Sequence, residues 1–332
     1  MESAPPKLCP RCGEPRILAP ECPRCGVLYA KARAPALPAP VQAEVPVPPE
    51  EPLWSAPSYA PVLPPSAEPL AWEGDLEDAR HELRLRQFAL PLALGGAWLL
   101  VKSPMWGGLI RVFLSMWIHE LGHAVTSWFC GFPAIPGPWR TVTFEERSAV
   151  LMLLLTAGLA GLVLRGHFTQ RRWLMAAGAV GLVLQFVGTV LLSPSQSRQL
   201  ITFGGDGGCL VLGALLLTTL YAPRESALRQ GWLHWGYMVI GAAAFMDAFS
   251  QWWSARRDFE RIPFGDIEGV GLSDPSKLVE VHGWSETDLV RRYTGLGLVC
   301  LALLGVLYAV GWVRARAALR ALEGHPGGGA AP

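Results

Sequence analysis

The apolar stretch Met105–Phe132, MWGGLIRVFLSMWIHELGHAVTSWFCGF, contains His119-Glu120-Leu121-Gly122-His123, an H-E-x-x-H. On a helix, His119 and His123 lie one turn apart on the same face, so two imidazole nitrogens can grip one metal ion. Glu120 follows the first histidine directly, where its carboxylate can take a proton from water. Ionisable groups in the middle of a membrane-length apolar helix are costly, and they are retained where they act. The stretch therefore predicts a membrane-embedded helix with a metal centre and Glu120 as general base, in preference to histidines hydrogen-bonded within a bundle.

The rest of the chain fits that setting. Of its 332 residues, 51% are hydrophobic and only 17% charged, which suits an all-α polytopic membrane protein with a soluble appendage. The formal net charge of +1 gives no general attraction to nucleic acid, and none is expected as a partner. Apolar segments run approximately over 88–101, 105–130, 148–165, 173–192, 207–222, 232–250 and 293–313. The first and fifth are short for a full crossing, so about six to seven transmembrane helices are expected. Gly158, Gly161, Gly178, Gly181 and Gly213 would let those helices approach closely. After the H-E-x-x-H helix, PAIPGPWRTVTFEER carries prolines and a strand-like Thr-Val-Thr-Phe run, fit to re-enter the membrane under protein cover or to lie at its surface.

Residues 1–33 read as a zinc ribbon. Cys9-Pro10-Arg11-Cys12-Gly13 is echoed by Cys22-Pro23-Arg24-Cys25-Gly26, and two such knuckles facing each other complete a closed four-thiolate zinc site. So short a segment has no core of its own, and the metal would supply most of its folding energy. Its mild basic excess reads as a solvated surface first, with an acidic partner or lipid headgroups as the alternative, and the ribbon is taken as a structural docking module. Residues 34–74 form a linker in which 12 of the 29 prolines fall before Leu70. Cys130, Cys209 and Cys300 lie in apolar segments and read as small fillers. The first apolar run follows a long polar region, so no signal peptide is expected.

The membrane domain is placed at 75–321, with a tail from 322. It opens on a charged helix, Asp75–Gln87, in which His81-Glu82 imitates the motif but has Leu85 where a second ligand would stand. Basic ends at Arg165, Arg171 and Arg172, at Arg224 and Arg229, and at Arg314, Arg316 and Arg320 should face the cytoplasm. Seven spans would then put the ribbon outside, whereas thiolate zinc sites favour a reducing compartment. Six spans with one re-entrant segment reconcile the two, giving a bacterial inner-membrane protein with a cytoplasmic ribbon. A polar insertion, 254–292, contains Ser273-Asp274-Pro275 and Ser285-Glu286-Thr287-Asp288, two helix-start signatures. Asp266, Asp274, His282 and Asp288 are within reach of a substrate there, although capping and solvation account for them.

A catalytic zinc needs a third protein ligand and an open position. Two carboxylates qualify: Asp206 in Phe203-Gly204-Gly205-Asp206-Gly207-Gly208, and Asp247 in AAAFMDAFSQWW. Glycines around Asp206 admit a close neighbour, whereas an N-capping Asp in a glycine-rich turn is the plainer alternative. Asp247 is deeper in its segment and suits pairing with an arginine or a proton-relay hydrogen bond.

A membrane-embedded H-E-x-x-H followed several spans later by Asp-Gly resembles the site-2 protease family of intramembrane zinc metalloproteases. In that family two histidines and the aspartate of an L-D-G motif bind zinc, and the glutamate activates water. The resemblance implies His119, His123 and Asp206 as ligands and Glu120 as base. Here Gly205 stands before the aspartate, and the nearest upstream proline is Pro194. The resemblance covers the membrane region only and implies one catalytic zinc and cleavage of a membrane protein within or beside the membrane; with the ribbon's structural zinc on Cys9, Cys12, Cys22 and Cys25, two zinc ions per chain are expected. A non-proteolytic zinc-binding scaffold, or a transporter using the intramembrane His and Asp residues, are the alternatives. A peptide covering residues 1–33 is expected to bind one zinc and to lose its fold on chelation. Unchanged zinc content and circular dichroism in Cys12→Ser would remove the ribbon.

Overall fold

Apolar runs bounded by capping residues make the chain a set of helices. The computed structural model describes them over residues 73–224, 226–229, 231–267 and 271–324. The expected ribbon, with Cys9, Cys12, Cys22 and Cys25, and the proline-rich linker lie outside the described residues. Helix α1 (Glu73–Lys102) takes in both the charged segment and the first apolar one, with Pro91 inside it. A bend of 116° separates it from a second helical stretch. That stretch is α2 (Gly107–Ile110), a wide π-type turn over Arg111–Ser115, and α3 (Met116–Phe129), which carries the H-E-x-x-H. The prolyl segment after it folds as an antiparallel hairpin, β1 (Ala134–Pro136) on β2 (Thr141–Thr143), with Ile135 opposite Val142. Trp128 of α3 donates its indole N–H to Ala134 O at 2.9 Å, which holds the hairpin against the helix.

The next helices are α4 (Ala149–Phe168), α5 (Arg172–Phe186, continued by a π-type turn to Leu191), α6 (Pro194–Thr218) and α7 (Leu233–Ala255). Ser148 caps α4. Ser193 and Gln196 form a reciprocal capping box at the head of α6, with Pro194 in its first turn. Arg147 bonds the carbonyls of Gly188, Thr189 and Leu192 and the hydroxyl of Ser197, so one guanidinium satisfies the end of α5 and ties it to α6. The polar insertion follows, with a small hairpin of β3 (Asp266–Ile267) and β4 (Gly271–Leu272) and a short α8 (Asp274–Ser276). Ser285 caps the last helix, α9 (Glu286–Glu323), as its sequence signature predicts.

Among the described residues, four helices are long and apolar enough to cross a membrane, and five if the bent pair counts as one span. They fit a membrane protein. The expected six to seven separated α1 from α2–α3, which form that bent pair, and counted α7. That helix is an interior one: Gly241–Ala248 is buried without a break. Leu153, Leu154 and Leu164 of α4 and Val180 and Val183 of α5 stand exposed, as lipid-facing side chains do. Glu82, the imitation motif's glutamate, is buried and bonded by Arg86, Arg224 and Arg229, which fastens α1 to the connection before α7.

Helices α3 and α6 touch backbone to backbone. A methyl group on Gly122 would overlap Gly204 O and come within 2.8 Å of Gly208 Cα; one on Gly208 would overlap Gly122 Cα. The glycine-rich run was expected as a span's head or a turn, but helix α6 continues through it and places Asp206 mid-helix. The capping box and the close packing on α3 together override the poor helix propensity of glycine. Gly122→Ala is expected to destabilise the domain by about 1–3 kcal/mol through overpacking. Gly158→Ala, with nothing within 4 Å of the new methyl, should cost nothing; thermal unfolding of the two variants in detergent checks the contrast.

Candidate metal centre

The close α3–α6 contact is what lays the two histidines over α6. A Cβ at Gly205 would lie 2.5 Å from His119 Nε2 and 2.6 Å from His123 Nε2, so only glycine leaves the rings their place. His123 Nδ1 donates to Ile201 O at 2.8 Å, since a carbonyl can only accept. His119 Nδ1 meets Asp206 Oδ1 at 3.1 Å, and Asp206 Oδ2 accepts the indole N–H of Trp252 at 2.8 Å. Each Nδ1 thus faces an acceptor, and the two Nε2 atoms face each other 3.2 Å apart.

Asp274 Oδ2 closes the group, 3.0 Å from His119 Nε2 and 2.9 Å from His123 Nε2. The polar insertion carries it there. Ser273 Oγ caps α8 by accepting from Ser276 N and reaches Pro263 O at 2.9 Å, while Gly265 N donates to Ser276 Oγ at 3.0 Å. Because Ser273 does the capping, the Asp274 carboxylate is free to leave the helix end. Its other oxygen lies 3.8 Å from Lys277 Nζ. Burial works against a charge on Asp274, yet His123 and His119 beside it hold its carboxyl well below the usual carboxylate range. Three lone-pair donors this close need positive charge among them, from protons on the rings or from a metal ion.

Asp206 was expected as the third ligand with His119 and His123. Its carboxylate meets Nδ1 of His119, whereas the two Nε2 atoms face Asp274. Asp206 and Cys209 make a second grouping with His119, but it contains one histidine only, and the Cys209 thiol donates to Ser115 O at 3.6 Å. Cys209, read from the sequence as an apolar filler, therefore stands in the wall of the site. Asp247 pairs with Arg111 through two bonds, Nη2 to Oδ1 at 3.0 Å and Nε to Oδ2 at 3.2 Å, the arginine partner its depth suggested. Glu120 is buried, with Thr141 Oγ1 of β2 2.8 Å from its Oε2. His119, Glu120, His123, Asp206 and Asp274 line one cavity of about 860 Å³.

The signal that pointed to Asp274 was present but read otherwise. A helix start needs one capping side chain, and Ser273-Asp274 offers two, so one was spare. Gly205→Ala is expected to displace both rings and to weaken metal binding by about tenfold or more, measured by competition with a chromophoric chelator.

No protein-family model matches the chain, and no curated protein and no solved structure shows significant similarity to it.

Proposed function

We propose that this chain is an intramembrane zinc metalloprotease, similar to the site-2 proteases, with His119, His123 and Asp274 as its zinc ligands and Glu120 as its general base. The triangle of donor atoms carries the reading. Ligand atoms about 2.0–2.1 Å from a tetrahedral zinc lie about 3.3 Å from one another, and the three edges here are 2.9, 3.0 and 3.2 Å. Two imidazoles and one carboxylate, with a fourth position left open toward a cavity, are the donor set of a hydrolytic zinc site.

Zinc bound there would polarise the scissile carbonyl and make water acidic enough to give up a proton near neutral pH. Glu120 takes that proton and returns it to the leaving amine, held in position by Thr141. Asp206 keeps His119 turned with Nε2 toward the ligand position. The surrounding helices restrict access to segments that can unwind locally, so the substrate is a membrane protein with a transmembrane segment. The N-terminal cysteine pairs, which would hold a structural zinc on Cys9, Cys12, Cys22 and Cys25, would with the proline-rich segment after them raise the local concentration of that substrate or of a regulatory protein. We place the chain in a bacterial inner membrane with the ribbon in the reducing cytoplasm.

Purified protein incubated with a panel of single-span substrates tests the reading. Glu120→Gln should retain metal and lose turnover by about 10²–10⁴-fold. His119→Ala and Asp274→Ala should lose the metal itself. Wild-type cleavage by Glu120→Gln would end the protease assignment.

A further inference from the structure

We infer that Trp252 is a positioning residue for the metal centre, acting on His119 through Asp206. This rests on the ligand assignment proposed above. Trp252 is fully buried in α7, and its indole N–H is spent on Asp206 Oδ2 at 2.8 Å. The other oxygen of the same carboxylate meets His119 Nδ1 at 3.1 Å. An indole nitrogen only donates, so it requires an acceptor at Oδ2. The carboxylate is thereby oriented with Oδ1 against the ring, where it accepts from Nδ1 and leaves the lone pair on Nε2. The indole does not drift, because it stacks on Tyr293 of α9 with centroids 4.1 Å apart, and Tyr293 stacks on Phe203 of α6 at 4.3 Å. Four elements, α3, α6, α7 and α9, thereby agree on one imidazole orientation.

The chain of donors and acceptors makes an uncommon prediction about paired substitutions. In Asp206→Asn the side chain has one oxygen and one NH2, yet it faces two donors. With its oxygen kept by Trp252, its NH2 meets His119 Nδ1 and moves the ring proton to Nε2, where it blocks the metal. In Trp252→Phe the stack on Tyr293 survives, but Asp206 loses the donor that orients it. In the double variant the amide is free to turn its oxygen to His119, and the ligand tautomer returns.

Zinc affinity of the full-length protein in detergent, by chelator competition, reads this directly, with His119→Ala as the reference that subtracts zinc held elsewhere. Trp252→Phe is expected to bind about 10–100-fold more weakly than wild type. Asp206→Asn should be weaker still, and Trp252→Phe/Asp206→Asn should bind more tightly than Asp206→Asn alone. A purely structural tryptophan would make the double variant the worst of the three, and that order overturns the inference. So does a Trp252→Phe protein with wild-type affinity, which would leave the zinc site standing. A wild-type chain that binds no more zinc than His119→Ala overturns both this inference and the site on which it rests.

Discussion

Where α3 crosses α6, two backbones meet with no side chain between them. Gly122 lies against Gly204 and Gly208, and a single added methyl would overlap main-chain atoms. Apolar burial does little to distinguish one helix pairing from another inside lipid, so close van der Waals contact and hydrogen bonds decide which helices pair. The histidine side of the centre follows from that contact. It sets the imidazoles above Gly205, gives His123 Nδ1 the carbonyl of Ile201, and brings Asp206 within reach of His119. The glycines are as much a part of the site as the residues that touch a ligand.

The acidic side chains inside the domain show how a low-dielectric interior accepts charge. Glu82 has three arginines, Asp247 has Arg111, Asp206 has an indole and an imidazole, and Asp274 has two imidazoles. An unpartnered carboxylate at any of these places would cost several kcal/mol. The partners also sort the carboxylates by role. Glu82 and Asp247, matched by arginine, are neutralised within the protein and hold helices together. Asp274 has Lys277 near one oxygen and turns the other to two imidazole nitrogens, the position at which a shared cation would sit.

Much of this was legible in the sequence, for reasons that differ by element. The H-E-x-x-H is a local pattern at helical spacing, so the meeting of His119 and His123 needs no tertiary knowledge. The same holds for the starts of α8 and α9, where Ser273 and Ser285 cap. Asp206 was found near His119 but on the other nitrogen, because an Asp-Gly context tells of a close approach and not of its direction. Asp274 is separated from the histidines by 155 and 151 positions and sits in a polar insertion. Its role depends on how β3, β4 and α8 fold back, and no periodicity encodes that. The expected six to seven spans and the four or five candidate helices differ for a related reason: hydropathy does not report a 116° bend, nor does it tell a helix surrounded by protein from one surrounded by lipid.

The order of the chain has a consequence for how the protein is made. A ribosome delivers α3 with both histidines and Glu120 well before it delivers Asp274, and α4 to α7 come between. Until residue 274 has emerged and α8 has folded back, only two of the three donor atoms are in place. A growing chain is therefore without all three donors while α4 to α7 are laid down, and α9 alone of the candidate spans follows. The three donors can meet only after the polar insertion has folded back onto α3 and α6, with α9 still to be added.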